Sequence, residues 1–281
     1  MIVDIVVNHT ADVIKYSVGK YGYRYIAEYP YRTCTGKEFD IALVAGKSTF
    51  PKLCADKSFA YVPVVDSWSK SVKKPAFLND VTNYHNRGDS TWTGTSVFDG
   101  DFFGLDDLFT EKPEVVVGWT ANWSSWITRF NIDGYRVDTA KHVNPEFWNA
   151  FIPKILATAK AAGKKQFPIF GEVADSDPRT LATFVKEQQF NSVLDFGFQS
   201  AVAKFVVSGG GLDGVVNLFN ADDMYTSATT SAYSLTTFLG NHDMGRIGQF
   251  IADSNSNDSE ALARAQLANT LLLTLRGAPA L

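Results

Sequence analysis

The sequence has no excess of positive charge and no long apolar run. Its 26 Lys and Arg residues face 30 Asp and Glu residues, which gives a formal net charge of −4 over 281 residues. A nucleic-acid-binding surface needs clustered Lys and Arg, so this balance argues against a nucleic-acid partner. No apolar run approaches the roughly 20 residues that a membrane helix needs, which argues against a membrane protein.

Cysteine is scarce as well, because Cys34 and Cys54 are the only two in the chain. Both lie in one turn-rich stretch, and their separation of 20 residues permits a disulfide. Such a bridge would stabilise the fold by roughly 3 kcal/mol on loop-entropy grounds. Two unpaired thiols in a cytosolic enzyme are the alternative. Because the pair is confined to one loop-rich segment, we favour the disulfide and therefore an exported protein.

Hydrophobic residues make up 45% of the chain and aromatic residues 14%. A core of some size is therefore expected, and a complete β/α barrel typically needs about 250 residues. Aromatic faces stack well on sugars, although Tyr and Trp are also ordinary core residues. Met1 is followed directly by a buried-strand pattern, and the sequence stops at Leu281 where another strand is expected to begin. We therefore expect an internal fragment of a longer protein.

Three segments of the sequence differ in character. Residues 1–9 are predicted as a strand. Residues 10–111 are rich in turn signals and lack helical periodicity, which predicts a small irregular β-rich domain inserted after that strand. Residues 112–281 alternate between helical patterns (113–130, 145–162, 179–189, 199–207 and 259–275) and strand patterns (134–137, 167–171, 192–196 and 235–239). The alternation predicts parallel βαβ units, five strands plus the start of a sixth.

Three carboxylates each follow a strand-like run. Asp138 lies in the motif GYRVDTAKH, Glu172 in FGEV and Asp243 in FLGNHD. Catalytic residues of β/α barrels lie at the C-terminal ends of strands. Two carboxylates that flank one bond are what retaining glycoside hydrolysis requires. Weaker alternatives stay open for each motif alone, because an Asp at a strand end is often a helix N-cap.

Together with IVDIVVNH at residues 2–9, these motifs closely resemble, in order, those of the α-amylase superfamily (glycoside hydrolase family thirteen). The resemblance covers nearly the whole chain. It implies a partial TIM barrel, from the third strand to the start of the eighth, with domain B inserted after the third strand. It also implies that Asp138 is the nucleophile, Glu172 the general acid/base, and Asp243 the third carboxylate, which holds sugar hydroxyls.

The same motifs supply supporting residues. Arg136 shares a strand face with Asp138 by the period-two rule, and its positive charge should keep Asp138 ionised. In the family, the position of Asp4 supports the site from beneath by pairing with this arginine. The resemblance also implies that His9 and His242 bind the same sugar ring.

Lys141 and His142 follow the nucleophile. This pair resembles α-amylases and cyclodextrin glycosyltransferases, in which it meets the sugar on the leaving-group side. Exo-acting α-glucosidases usually have other residues there. The pair therefore favours endo cleavage of a glucan chain.

A calcium (Ca²⁺) site is the metal feature that the resemblance implies. Its ligands would be the Asn8 side chain, the His142 backbone carbonyl and the Asp107 carboxylate, all oxygen donors suited to a hard cation. Asp107 lies in GLDDL, which resembles the family's Leu-Pro-Asp-Leu motif with Asp106 in place of proline. An acidic surface loop is the alternative. His85, in the unexplained motif YHNRGD, is expected to line the cleft or lie on the surface.

The sequence therefore predicts a secreted, monomeric, α-amylase-like retaining endo-glycosidase that acts on α-1,4-glucans such as starch. A cyclodextrin glycosyltransferase, a maltogenic amylase or an α-glucosidase would share the chemistry and differ mainly in acceptor and chain length. A relative that has become non-catalytic should have lost catalytic carboxylates, and all three are present here.

Overall fold

The chain divides into two units, Met1–Phe167 and Pro168–Leu281, in a computed structural model that describes residues 1–19, 21–254 and 257–281. The first unit contains the strands β1 (Ile2–Ile5), β2 (His9–Thr10), β3 (Lys15–Tyr16), β4 (Pro63–Val64), β5 (Asp106–Asp107) and β6 (Gly134–Val137), and the helices α1 (Ser96–Asp99), α2 (Pro113–Phe130) and α3 (Pro145–Ala161). The second contains the strands β7 (Ile169–Gly171), β8 (Ser192–Val193), β9 (Thr236–Thr237) and β10 (Ala278–Pro279), and the helices α4 (Pro178–Glu187), α5 (Phe196–Ser208), α6 (Asp213–Asn220), α7 (Ile247–Asp253) and α8 (Asp258–Thr274).

Strands β1 and β6 pair in parallel in the first unit. The register runs from Ile2 opposite Gly134 to Ile5 opposite Val137. The strand predicted over residues 1–9 is therefore too long, because the chain leaves the pairing after Ile5 and His9–Thr10 pairs with β5 instead. Parallel pairing joins strands whose carboxyl ends point the same way, so the residues that follow Ile5 and Val137 share one edge.

Helices α2 and α3 begin and end at local signals. Pro113 and Pro145 occupy the first helical turn, where proline's fixed φ suits the helix and its missing N–H costs nothing. Helix α2 ends at Asn131, which adopts the left-handed conformation with φ 54°. The two helices pack through large apolar side chains that are buried: Val115, Val116, Trp119, Ile127, Phe147, Trp148, Phe151, Ile152 and Ile155. The predicted helices over 113–130 and 145–162 are confirmed, the second to within one residue.

The segment 10–111 contains two-residue strands, short helices and a small core of its own. β2 pairs antiparallel with β5, and β3 pairs antiparallel with β4. Tyr31, Leu53 and Phe109 are buried together in this segment. Cys34 and Cys54 form a disulfide with a Cα–Cα distance of 5.0 Å, which confirms the favoured pairing. The segment is therefore cross-linked beside its own apolar cluster.

The second unit continues the parallel pattern. β7 pairs with β8, a single parallel bridge joins Leu194 to Thr236, and β9 pairs with β10. The strand predicted over 192–196 ends at Val193, because the Asp195 carboxylate accepts a hydrogen bond from the Phe198 amide and starts α5. The strand expected at the end of the chain is present as β10.

Two helices of the second unit, α6 and α7, were not predicted from the sequence. Both are short, and together with α5, α8 and the residues after β9 they form a buried apolar cluster: Phe198, Val202, Val206, Leu218, Leu239, Ile251, Ala268 and Leu272. Over the described residues, no helix combines the length and the apolar character that a membrane crossing requires.

Candidate active site

Asp138 lies directly after β6, where its backbone amide donates to the Ile5 carbonyl at 2.9 Å. Arg136 donates through Nη1 to Asp138 Oδ1 at 2.5 Å. The same nitrogen lies 3.0 Å from both carboxylate oxygens of Asp4. The expected pair between Asp4 and Arg136 is therefore present, and one guanidinium group serves both carboxylates. Asp138 remains partly accessible, with 22% of its side chain exposed, so a ligand can reach it.

The residue after Asp138 turns the chain sharply. Thr139 has φ 47°, a left-handed conformation that is uncommon for a β-branched residue. A short 3-10 helix, Ala140–His142, follows at once and carries Lys141 and His142. The turn therefore places three of the predicted site residues within one short segment.

His9 and His142 are both half-buried and both touch the ring of Phe102. His9 stacks on Phe102 with centroids 5.0 Å apart and an angle of 9° between the planes, and His142 meets the same ring edge-on at 5.1 Å. Burial lowers the pKa of His9, and the nearby Asp138 carboxylate opposes this shift. Burial also lowers the pKa of His142. Both imidazoles are therefore neutral at neutral pH.

The tautomer of His142 follows from its backbone contact. Its Nδ1 lies 3.0 Å from the Val97 carbonyl, which can only accept, so Nδ1 carries the proton. In the neutral ring Nε2 then holds a lone pair and can accept a hydrogen bond from a hydroxyl group.

Trp92 and Phe103 complete an aromatic cluster around the two histidines that the sequence did not predict. The rings of Trp92 and Phe103 lie 4.5 Å apart, and Trp92 meets His142 at 5.8 Å. Phe103 is 78% exposed, and both residues have positive φ values of 60° and 52°. A large apolar ring held in the open by an unfavourable backbone conformation suggests a binding surface. The available sequence signal was only the aromatic richness of the chain.

Glu172 follows β7 directly in the second unit. It is buried, with 8% of the residue exposed. Of the predicted catalytic carboxylates, it is the one that lies in a solvent-poor environment.

His242 and Asp243 lie in a tight turn after β9. The Asn241 side-chain oxygen accepts from the backbone amides of Asp243 and Met244, at 3.0 and 2.9 Å. Gly240 must lack a Cβ, because that atom would lie 2.3 Å from the Gly245 carbonyl oxygen. His242 Nε2 lies 3.5 Å from Asp243 Oδ2, and both side chains are mostly exposed. The turn thus presents an imidazole and a carboxylate to solvent side by side.

The predicted calcium ligands Asn8 and Asp107 come together at the β2–β5 pair. Both are buried, and the Asn8 carbonyl accepts from the amide of Leu108, the residue after Asp107. The third predicted ligand, the His142 carbonyl, belongs to the 3-10 helix whose last side chain rests on Phe102. In the described part of the chain, no group of three or more His, Cys, Asp or Glu side chains is placed to hold a metal. A site at Asn8 and Asp107 would therefore combine one carboxylate with amide and carbonyl oxygens.

An excess of buried acidic groups surrounds Asp107. Its amide donates to Asp101, and its carboxylate contacts His85, which also contacts Glu111. Five acids in this part of the segment are buried (Asp99, Asp101, Asp106, Asp107 and Glu111), against four buried basic residues (Lys73, His85, Arg87 and Lys112). Burying carboxylates without compensating charge is costly, so this surplus fits a divalent cation.

His85 lies in neither of the places that the sequence suggested, since it is fully buried at 0% exposure. Burial opposes its protonation, but Glu111 and Asp107 outweigh that effect and raise its pKa to about 10. The expectation that His85 lines the cleft or the surface is wrong, because two acidic partners 22 and 26 residues away draw it inside.

Comparison with known proteins matches the whole chain, residues 1–281, to the family model described as the alpha amylase catalytic domain. An alpha-amylase of Streptomyces lividans is 43% identical over 98% of this chain and 30% of its own length. A cyclomaltodextrin glucanotransferase of Klebsiella oxytoca is 25% identical over 70% of this chain and 33% of its own length. The chain thus spans about a third of these curated relatives.

Among solved structures, the alpha-amylase from Geobacillus thermoleovorans, complexed with acarbose, superposes with a TM-score of 0.63 at 29% identity. The match covers 72% of this chain and 44% of that one. The parallel strands and their helices are accordingly part of a TIM barrel. With a family match over its full length and a relative at 43% identity, this chain belongs to the alpha-amylase catalytic-domain family.

Proposed function

We propose that this chain carries the catalytic core of a retaining endo-glycosidase that hydrolyses α-1,4-glucosidic bonds in starch-like glucans. The observation that carries the proposal is the Asp4–Arg136–Asp138 arrangement at the end of β6. It keeps a partly exposed carboxylate beside a fixed positive charge, which is what an anionic nucleophile needs. The alpha-amylase relatives support the same reaction.

In the proposed mechanism, Asp138 attacks the anomeric carbon of the glucose unit and forms a covalent glycosyl-enzyme. Glu172 donates a proton to the departing oxygen and then removes a proton from the water that releases the sugar. Asp243 and His242 hold sugar hydroxyls and stabilise the oxocarbenium-like transition state. Arg136 donates a hydrogen bond to the Asp138 carboxylate and holds it in position for the attack.

The substrate would be positioned by the histidines and the aromatic cluster. His9 and His142 are neutral and can exchange hydrogen bonds with sugar hydroxyls. The exposed faces of Trp92 and Phe103 offer apolar surfaces on which glucose rings can stack. Lys141, next to His142, would meet the sugar on the leaving-group side. Several contacts along a glucan chain favour endo cleavage.

Calcium, export and domain organisation belong to the same proposal. Calcium would be held by Asn8, Asp107 and the His142 carbonyl, where it would supply structural cross-linking and offset the buried acidic charge. The Cys34–Cys54 disulfide supports secretion, since such bridges persist in oxidising compartments. Residues 10–111 would form the inserted domain B, between β1 and the barrel residues 112–281. The protein would act as a monomer.

The test is to trap the nucleophile. An activated fluoro-sugar, followed by mass analysis of peptides, should label Asp138, and Asp138→Asn should lower kcat by several orders of magnitude while starch still binds. Conversion of Asp4→Asn serves as a comparison, because it removes the outer partner of Arg136 and should cause a smaller loss. A label on Glu172 or Asp243 contradicts the assignment. Product analysis with starch and with a chromogenic glucoside separates endo hydrolysis from glucosyl transfer and from exo cleavage.

A further inference from the structure

We infer that His85 is a positioning residue for the proposed calcium site, fixing the Asp107 carboxylate by bridging it to Glu111. The inference rests on the calcium site of the proposed function and names a residue that acts on the ligand without touching the ion.

The geometry defines a three-membered bridge. His85 Nδ1 lies 2.5 Å from Asp107 Oδ2, and His85 Nε2 lies 3.0 Å from Glu111 Oε2. Both ring nitrogens are thus engaged, so the imidazole plane and the orientation of Asp107 are fixed together. One oxygen of Asp107 is held by His85, which leaves the other for a cation.

The surroundings prevent His85 from moving. Its ring packs against Phe109 with centroids 4.3 Å apart and lies 6.2 Å from the ring of Tyr31. Its backbone amide donates to the Asp107 carbonyl at 3.0 Å, which couples the two chain segments a second time. A carboxylate that is oriented in advance loses less freedom when a cation binds.

The bridge also explains why so polar a cluster is buried. Asp107 lies beside Asp101, which accepts a hydrogen bond from its backbone amide, and a buried carboxylate without a basic partner is strongly destabilised. The neighbouring residue Asp106 points to the other face of the strand, as alternation requires, and pairs there with Lys73 at 2.5 Å. Each of the two consecutive acids therefore has its own basic partner, and only the one that bonds His85 is a predicted calcium ligand.

The variants are chosen to separate the His85–Asp107 pair from the Lys73–Asp106 pair. His85→Gln keeps a polar side chain of similar length but cannot bond both acids in the same fixed plane, and Glu111→Gln weakens the outer anchor by removing its charge while leaving the contact with Asp107. Lys73→Met is the control, because it removes a buried basic group that serves Asp106 instead. Each intact protein is stripped with a chelator and titrated with calcium chloride, with the dissociation constant measured by calorimetry and the melting temperature measured with and without calcium.

We expect His85→Gln to weaken calcium binding by about 10- to 100-fold and Glu111→Gln to weaken it by less, while Lys73→Met leaves the dissociation constant unchanged. A purely structural role for His85 predicts a different result: the melting temperature would fall by the same amount with and without calcium.

Unchanged calcium affinity in His85→Gln overturns the inference but leaves the calcium site standing. Absence of calcium binding by the unaltered protein removes the site itself. If His85→Gln does not fold, Glu111→Gln decides: weaker calcium binding supports the bridge, and unchanged binding overturns it. Equal weakening by Lys73→Met points to general loosening of the segment and also overturns the inference.

Discussion

The disulfide between Cys34 and Cys54 allows a stability effect to be worked out from the structure. It closes a loop with a sequence separation of 20 residues. Removing the cross-link frees that loop in the unfolded chain, and the loop-entropy relation gives a loss of about 3 kcal/mol for this length. Because a folded domain is stable by only about 5–15 kcal/mol, the loss is a large share of the total.

The native contacts of the loop should survive the loss of the bridge. Phe39, Phe50 and Leu53 lie within the loop and pack against Tyr31 and Phe109. The double variant Cys34→Ala with Cys54→Ala should therefore fold to the same structure with lower stability. With a urea dependence of about 1–3 kcal/mol per molar, the unfolding midpoint should fall by about 1 M or more.

The assay is urea unfolding of the intact protein, followed by tryptophan fluorescence, with and without a thiol reductant. Reductant should lower the midpoint of the unaltered protein to that of the double variant and leave the double variant unchanged. Midpoints that agree to within about 0.3 M would mean that the bridge contributes less than about 1 kcal/mol, which refutes the loop-entropy argument for this segment.

Three further outcomes are expected. Gly88→Ala should destabilise the protein by more than about 2 kcal/mol, because φ is 88° and the added Cβ would lie 2.3 Å from the Tyr21 carbonyl oxygen. Gly36 has a similar φ of 85°, but no atom lies within 4 Å of an added Cβ, so Gly36→Ala should lower the free energy of unfolding by only about 1 kcal/mol in the same assay. Equal losses of stability in the two variants would contradict a steric clash at Gly88. Phe103→Ala should raise KM for starch by about 5- to 30-fold, from the loss of about 1–2 kcal/mol of apolar contact, whereas Tyr233→Ala, which removes another exposed ring, should leave KM unchanged. A chelator should lower the melting temperature and added calcium should restore it, and identical melts count against a calcium site.

Elements with strong local signals were predictable from the sequence. Pro113 and Pro145 mark the starts of α2 and α3, and both predicted helices are present within one residue. The spacing of Arg136 and Asp138 was enough to predict that they lie on the same side of the chain at the end of β6, where they form an ion pair. In each case the residues that decide the structure lie within a few positions of one another.

Strand ends and short helices were less predictable, because contacts that are local but not periodic decide them. The apolar run around Val193 predicts a longer strand, but the Asp195 carboxylate caps the start of α5 and so ends the strand. Helices α6 and α7 have only 8 and 7 residues, too few for a periodic pattern to stand out.

The candidate site contains residues whose contacts could be predicted from the sequence and residues whose contacts could not. The pair between Asp4 and Arg136 joins residues 132 positions apart, so it could be expected only through the family resemblance. For His85, the family resemblance predicted no role. Its motif fixes a turn, but its role depends on Asp107 and Glu111, which reach it from a later strand and from the segment before α2. From the sequence alone, a histidine of this kind is expected on the surface or in the cleft. Only the neighbouring buried acids make a buried, protonated ring favourable. The contacts of His85 with Asp107 and Glu111 in the folded segment, rather than any sequence motif, therefore connect this residue to the proposed cation.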